Sequence, residues 1–171
     1  EALKGLLRCE YKNEKWQECA IIANQILQDK SAAPDDIVIA NMALYHQALI
    51  NKDSATATQI LNKVIKSNST LITAEAHYLL AKLCLDQQKL SLAEKTAFEM
   101  VKKQASYEYW VTSAYLLLGD IYVAQKDWFN ALATFKGVAD NATILSLKEE
   151  AQEKYNLTKA AEKLTNKVEN E

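Results

Sequence analysis

The sequence predicts an all-α protein that consists of consecutive helical hairpins. Three observations support this: apolar residues recur at helical spacing, turn residues are scarce, and small residues repeat at a nearly fixed period. The 171 residues include only 3 Gly and 1 Pro, whereas sheets and loop-rich folds need many such residues. No stretch alternates apolar and polar residues over a useful length, so no strand is predicted.

The first two predicted helices form a hairpin. Residues 1–12 and 15–29 each carry apolar residues at helical spacing, and Asn13 and Glu14 make a short polar break between them. Because the link is so short, the two helices are expected to run antiparallel and to bury their apolar faces against each other.

The clearest break in the sequence is SAAPDD at 31–36. Pro34 disfavours helix at Ala33, so the second hairpin is expected to start after it. Asp35 or Asp36 is expected to cap the third helix, where a carboxylate also suits the helix dipole.

The same reasoning predicts further helices along the rest of the chain, in a single domain that covers residues 1–171. SNST at 67–70 is expected to be a loop that caps the fifth helix. The predicted hairpins occupy about 1–30, 36–67, 70–105 and 108–141, and a C-terminal helix covers about 146–168.

Three classes of residue recur in register along these hairpins. The small residues are spaced by 38, 36 and 38 positions, at Cys19, Ala57, Ala93 and Ala131. Four positions earlier, each polar break ends, at Lys15, Asp53, Lys89 and Asp127. Seven positions later lies an apolar residue, at Ile26, Val64, Met100 and Val138. A period in this range is typical of a solenoid.

The fourth hairpin carries a specific motif, W-x2-L-G-x2-Y followed by A-x3-F, with Tyr115 in place of the Trp. Its residues are Tyr115, Leu118, Gly119, Tyr122, Ala131 and Phe135. The other three hairpins match this motif less closely. The matching residues are Leu6, Leu7 and Cys19 in the first hairpin, Leu44, Tyr45, Ala48, Ala57 and Leu61 in the second, and Leu80, Ala81, Cys84 and Ala93 in the third. Over about residues 1–141, the chain therefore resembles tetratricopeptide repeat (TPR) proteins, and among them bacterial multi-TPR proteins.

This resemblance implies a right-handed α-α superhelix, a TPR-like solenoid of about four helical hairpins plus a C-terminal helix. The terminal Pro of the family is missing and the period exceeds the usual length of roughly 34 residues, so the superhelical twist is expected to deviate. The last helix, about 146–168, is expected to cover the apolar end of the solenoid. The alternative is that it begins a fifth repeat of a longer protein.

The motif residues are expected to serve packing. Gly119 and Ala131 are placed where the two helices of the hairpin approach most closely, so bulk there would force the helices apart. Phe135, Tyr122 and Trp128 are interpreted as core residues between neighbouring hairpins rather than as a ligand cage.

No motif for catalysis, a cofactor or a metal is found, and an enzyme is not predicted. His46 and His77 do not stand at the spacing of metal ligands. There is no G-x-S-x-G sequence, and three isolated glycines cannot form a phosphate-binding loop. Cys9, Cys19 and Cys84 are expected to be small buried apolar residues, and a Cys9–Cys19 bridge across the first hairpin is the alternative.

Charge and hydropathy limit the possible partners and locations. A formal net charge of -2 is not typical of nucleic-acid binding. No apolar run approaches the roughly 18–20 residues needed to cross a bilayer. The chain starts at Glu1, without an initiator Met, and is expected to be part of a longer protein. Its location stays open between the cell envelope or periplasm, which the resemblance implies, and the cytoplasm, which free cysteines favour.

In TPR proteins the first helix of each hairpin lines a concave groove. The resemblance places Tyr11 there, together with Lys4, Arg8, Lys12, Met42, His46, Leu49, Tyr78, Lys82, Leu85, Leu116, Asp120 and Val123. Lys4, Arg8 and Lys12 recur every four residues and form one basic stripe, which suits an acidic partner or a solvated surface.

The mixed apolar and charged character of this groove suits a peptide or helix of another protein. The leading hypothesis is therefore a non-catalytic protein–protein interaction scaffold, with no cofactor. The alternatives are a structural segment of a larger multi-repeat protein, or a regulatory module of an attached catalytic domain. The oligomeric state is left open.

Overall fold

The computed structural model describes residues 2–67 and 71–168, with side chains described as far as residue 165. This part of the chain is all-helical, and the predicted all-α class is confirmed. Its helices are α1 (Ala2–Lys12), α2 (Trp16–Gln28), α3 (Pro34–Ile50), α4 (Ser54–Ile65), α5 (Leu71–Asp86), α6 (Leu90–Lys103), α7 (Glu108–Ala124), α8 (Trp128–Asn141) and α9 (Leu145–Val168). Most of the predicted SNST loop, residues 68–70, lies outside the described residues. None of the described helices has the length and apolar character to cross a membrane.

The chain divides into two compact units, residues 1–80 (unit 1) and residues 81–171 (unit 2), and the division falls within α5. Within unit 1, each of α1, α2 and α3 packs on the helix that follows it. Within unit 2, each of α6, α7 and α8 does the same. Each unit therefore consists of helices that pack on their neighbours in the sequence.

One turn geometry closes every hairpin. A residue in the left-handed region stands in each turn, with φ of 56°, 57°, 58° and 61° at Glu14, Lys52, Gln88 and Lys126. The next residue donates its N–H to the carbonyl five positions earlier, over 2.8–3.1 Å in all four turns. The left-handed residue donates to the carbonyl three positions earlier. This is the Schellman motif, which usually has Gly at the left-handed position, but none of these four residues is Gly.

The repeat positions predicted from the sequence coincide with the helix starts and buried residues of the structure. The four residues that end the polar breaks are the N-caps of α2, α4, α6 and α8, with similar backbone angles in each case. The four small residues, Cys19, Ala57, Ala93 and Ala131, are all 0% exposed. The apolar residues seven positions later are all buried. The predicted small and apolar core positions are therefore confirmed.

The start of α3 differs from the prediction. The helix begins at Pro34, its N-cap is Ala33, and no side chain makes a capping hydrogen bond. Asp35 and Asp36 instead lie in the first turn. Proline at the first helical position needs no N–H partner and already has a helical φ, so the helix starts before the predicted cap.

The cysteines follow the prediction in part. Cys19 and Cys84 are buried, but Cys9 is exposed, and all three are free thiols. The prediction of a buried Cys9 is wrong because this residue lies on the outer face of α1, where the amide of Asn13 reaches its Sγ over 3.7 Å.

Candidate functional site

A groove in unit 1 is lined by the first helices of three successive hairpins. It has a volume of about 290 Å³ and lies between α1, α3 and α5. Its lining residues are Arg8, Tyr11, Lys12, Ile39, Met42, Ile72 and Glu75. We call it the unit 1 groove. It brings together Arg8, Tyr11, Lys12 and Met42, four of the residues that the sequence placed in a groove.

The groove combines an apolar floor with a charged rim. Ile39 and Ile72 form the floor, and Met42, which lies among the lining residues, is 0% exposed. Met42 therefore supports the floor from below and offers no exposed surface to a partner, contrary to its predicted role. On the rim, Arg8 and Lys12 are exposed on α1, whereas Glu75 on α5 is half-buried.

Burial changes the acid–base properties of two groups in this groove. Burial raises the pKa of the Glu75 carboxyl above its usual value. Burial is also the main cause that raises the pKa of Tyr11, and the charge of Glu75 adds to it. Tyr11 therefore keeps its phenolic proton at neutral pH.

The predicted basic stripe is partly neutralised within the protein. Asp36, which is 3% exposed, lies 2.8 Å from Nη2 of Arg8 and 3.2 Å from Nζ of Lys4. A buried carboxylate that pairs with two cations fixes α3 against α1 and reduces the charge that those cations offer to a partner. The sequence predicts only a capping role for Asp36, and its pairing with α1 is found in the structure alone.

His46 has a packing role. Its ring stacks on Trp16 with a centroid distance of 3.9 Å and an interplanar angle of 13°. The hydroxyl of Tyr11 lies 3.5 Å from Nε2, and the ring of Tyr45 meets it edge-on. Burial in this cluster lowers the pKa of His46 to about 4, so the ring is neutral at pH 7. His46 contributes through its contacts with α1 and α2 and does not line the groove.

In the fourth hairpin, α9 covers the positions that the sequence assigned to a groove. Leu116 is 3% exposed and packs in one cluster with Leu147 of α9. Val123 packs against the same cluster. Asp120 accepts hydrogen bonds over 2.8 and 2.9 Å from Nζ of Lys154, which also lies on α9. These three residues therefore all contact α9: Leu116 is buried there, and the Asp120 side chain, which is 35% exposed, is paired with Lys154.

The remaining predicted residues fall in different places. Leu49 is 39% exposed at the end of α3. Tyr78 is half-buried in unit 1, and in unit 2 Lys82 is exposed and Leu85 is half-buried. None of them lines the unit 1 groove within the described chain.

Three lining residues of the groove were missed, namely Ile39, Ile72 and Glu75. Helical spacing is the sequence feature that relates them to one surface. Ile39 and Met42 stand three positions apart on one face of α3, and Ile72 and Glu75 do so on α5. The same spacing relates Arg8 to Tyr11 on α1.

Across residues 2–67 and 71–168, no group of three or more His, Cys, Asp or Glu side chains is arranged to hold a metal ion. No protein-family model, no curated protein and no solved structure matches the chain. The geometry of the unit 1 groove is therefore the feature that indicates a function.

Proposed function

We propose that this chain is a non-catalytic interaction scaffold that binds a peptide or helical segment of another protein in the unit 1 groove. The observation that carries the proposal is an apolar floor of Ile39 and Ile72 set between cations on α1 and a carboxylate on α5. Amphipathic segments bind in such grooves by inserting apolar side chains and placing charged neighbours on the rim.

The charges of the rim suggest how such a segment is oriented. Lys12 and Arg8 stand on the α1 side and favour acidic residues of the partner there. Glu75 stands on the α5 side and, when ionised, favours a basic residue. Charge complementarity of this kind contributes to orientation and association rate more than to affinity.

The proposed architecture is a TPR-like right-handed α-α superhelix with α9 as its C-terminal cap. The repeated Schellman turns in both units support this proposal, as do the four fully buried small residues at equivalent positions.

Site-specific photo-crosslinking tests the function. The photo-reactive residue p-benzoylphenylalanine replaces Lys12 at the rim of the groove or, as a matched control, exposed Asn62 on α4. After irradiation in extract of the source organism, position 12 is expected to give a discrete cross-linked protein that position 62 does not give. The segment of that protein attached to position 12 is then synthesised, and its affinity for the chain is measured.

The synthetic segment is expected to lose affinity by about tenfold or more when Ile72→Asp places a charge on the groove floor. Asn62→Asp, which adds the same charge on α4, is expected to leave its affinity unchanged. Identical cross-linked products at positions 12 and 62, or no specific product at position 12, would contradict the proposal.

A second candidate function is a stacking unit within a longer repeat protein. The observation that favours it is on α9, where Leu157 and Leu164 are 63% and 68% exposed and stand seven residues apart on one face. Under this hypothesis the chain associates through α9, and Leu157→Glu is expected to abolish concentration-dependent association in sedimentation equilibrium. A chain that stays monomeric at all concentrations would exclude this candidate.

A further inference from the structure

A larger pocket lies within unit 2, between α7 and α8. Its volume is about 520 Å³, within the range of roughly 300–1,000 Å³ that is typical of small-molecule sites. Successive turns of α7 line one wall through Glu108, Val111, Thr112 and Tyr115, and α8 lines the other through residues that include Gly137 and Val138. This pocket shares no residue with the unit 1 groove.

The pocket is open at Gly137 because this position has no side chain. A Cβ atom placed on Gly137 would meet nothing within 4 Å. Gly137 lies inside α8 without a positive φ, so neither a turn nor a close contact requires glycine there. Glycine is less favourable than alanine inside a helix, and its effect here is to leave the space between the two helices unfilled.

The described lining residues are mostly apolar, and Glu108 is the one among them that carries a charge. Val111 and Val138 provide aliphatic walls, and Tyr115, which is 40% exposed, provides an aromatic one. The hydroxyl of Thr143 donates a hydrogen bond to Oε1 of Glu108, which holds the carboxylate at the mouth of the pocket. An apolar cavity with one anchored carboxylate is complementary to an apolar body that carries a positive charge.

We infer that the pocket between α7 and α8 binds a small organic ammonium compound. Its apolar body lies between Val111, Val138 and Tyr115, and its ammonium group pairs with Glu108. The orientation follows from the charge of the walls, because Glu108 is the one charged group among the described lining residues and pairs best with an ammonium group. This binding is independent of the protein partner proposed for the unit 1 groove.

Three matched probes test the charge requirement: 1-naphthylmethylamine, which is a cation at pH 7, neutral 1-naphthylmethanol, and anionic 1-naphthoate. Affinities are measured by calorimetry, and the methyl NMR signals of Val111 and Val138 report whether each probe occupies the pocket. The amine is expected to bind about tenfold more tightly than the alcohol and to shift both signals, and the acid is expected to bind most weakly.

Variants then test the location. Gly137→Leu fills the pocket and is expected to reduce amine affinity by about tenfold or more. Glu108→Gln keeps the shape of the pocket and is expected to bring the affinity of the amine down to that of the alcohol. Gly5→Leu is the matched control, because Gly5 also lies in a helix, has open space around it, and belongs to unit 1.

The inference is overturned by any of three results. The first is absence of amine binding at about 1 mM, the weak end of ordinary affinities. The second is equal binding of the three probes. The third is an amine affinity that Gly137→Leu leaves unchanged, since the ligand would then bind elsewhere.

Discussion

The ring of Phe135 on α8 lies directly against the backbone of Gly119 on α7. A Cβ atom at position 119 would lie 2.6 Å from Cζ and 2.7 Å from Cδ1 of that ring, well inside van der Waals contact. Phe135 is 1% exposed and packs in the cluster that includes Leu147 and Ala151 of α9. The ring therefore cannot give way without disturbing the contact between α8 and α9.

Gly119→Ala is expected to destabilise unit 2 although alanine is the better helix former. Overpacking against Phe135 costs about 1–3 kcal/mol, which outweighs a gain of about 1 kcal/mol in helix propensity. Gly137→Ala is the matched control on α8, where the added methyl meets open space, and it is expected to stabilise by about 0.5–1 kcal/mol. Urea unfolding of the variants measures both free energies. Equal effects at the two positions would show that Phe135 does not restrict residue 119.

Lys89→Asp is expected to stabilise the start of α6. The N-caps of α4 and α8 are Asp53 and Asp127, and each accepts a hydrogen bond from a backbone N–H three residues later, over 3.0 and 3.1 Å. Lys89 has similar backbone angles but makes no side-chain cap. An aspartate there satisfies an N–H of the first turn and is expected to add about 1 kcal/mol to the free energy of unfolding.

The control for this prediction is Lys89→Ala, which removes the lysine without adding an acceptor. It is expected to leave the stability within about 0.5 kcal/mol of the wild type. If both variants change the stability equally, removal of the positive charge explains the effect and the capping argument fails.

The repeat register was predictable from sequence because it depends on local spacing and residue size. The small positions and the ends of the polar breaks follow from this spacing alone. Three other features depend on contacts that the sequence does not encode locally. Asp36 meets Arg8 across 28 positions of the chain, and Lys154 meets Asp120 across 34. The third is the pocket at Gly137, which depends on how far apart α7 and α8 lie, so no motif indicated it.

Asp36→Asn is expected to weaken the contact between α1 and α3. The amide keeps the shape of the carboxylate but leaves Lys4 and Arg8 without their shared counter-ion. Removing one member of a buried ion pair costs about 3–5 kcal/mol. The side chain of Arg8 is 55% exposed and can turn to solvent, so a loss of roughly 1–3 kcal/mol is expected.

Lys154→Met is the comparison for this prediction. It breaks the pair with Asp120, whose side chain is 35% exposed, whereas that of Asp36 is 4% exposed. Water already solvates both charges there, so a loss of about 1 kcal/mol or less is expected. Chemical unfolding at low ionic strength measures both variants. A larger loss of unfolding free energy for Lys154→Met than for Asp36→Asn would contradict the prediction that the buried pair contributes more to stability.

His46 is expected to make the stability depend on pH below neutrality. Its pKa is lowered from 6.5 to about 4 in the folded protein because burial against Trp16 disfavours the charged ring. Between these values the unfolded chain binds a proton that the folded chain does not bind, so the free energy of unfolding falls as the pH decreases from about 6.5 to about 4. The contribution of His46 is fully present above pH 6.5.

The size of this effect is on the order of 1–2 kcal/mol, because partial exposure of the ring lets water moderate the cost of its charge. His46→Phe retains an aromatic ring for Trp16 to stack on but cannot be protonated. Urea unfolding at a series of pH values is expected to show a shallower decline between pH 6.5 and pH 4 for the variant than for the wild type. Carboxylates such as Asp53, whose pKa is lowered by its hydrogen bonds to Thr56, contribute equally in both proteins. Parallel pH profiles would therefore mean that His46 is protonated in the folded state and that the cluster tolerates its charge.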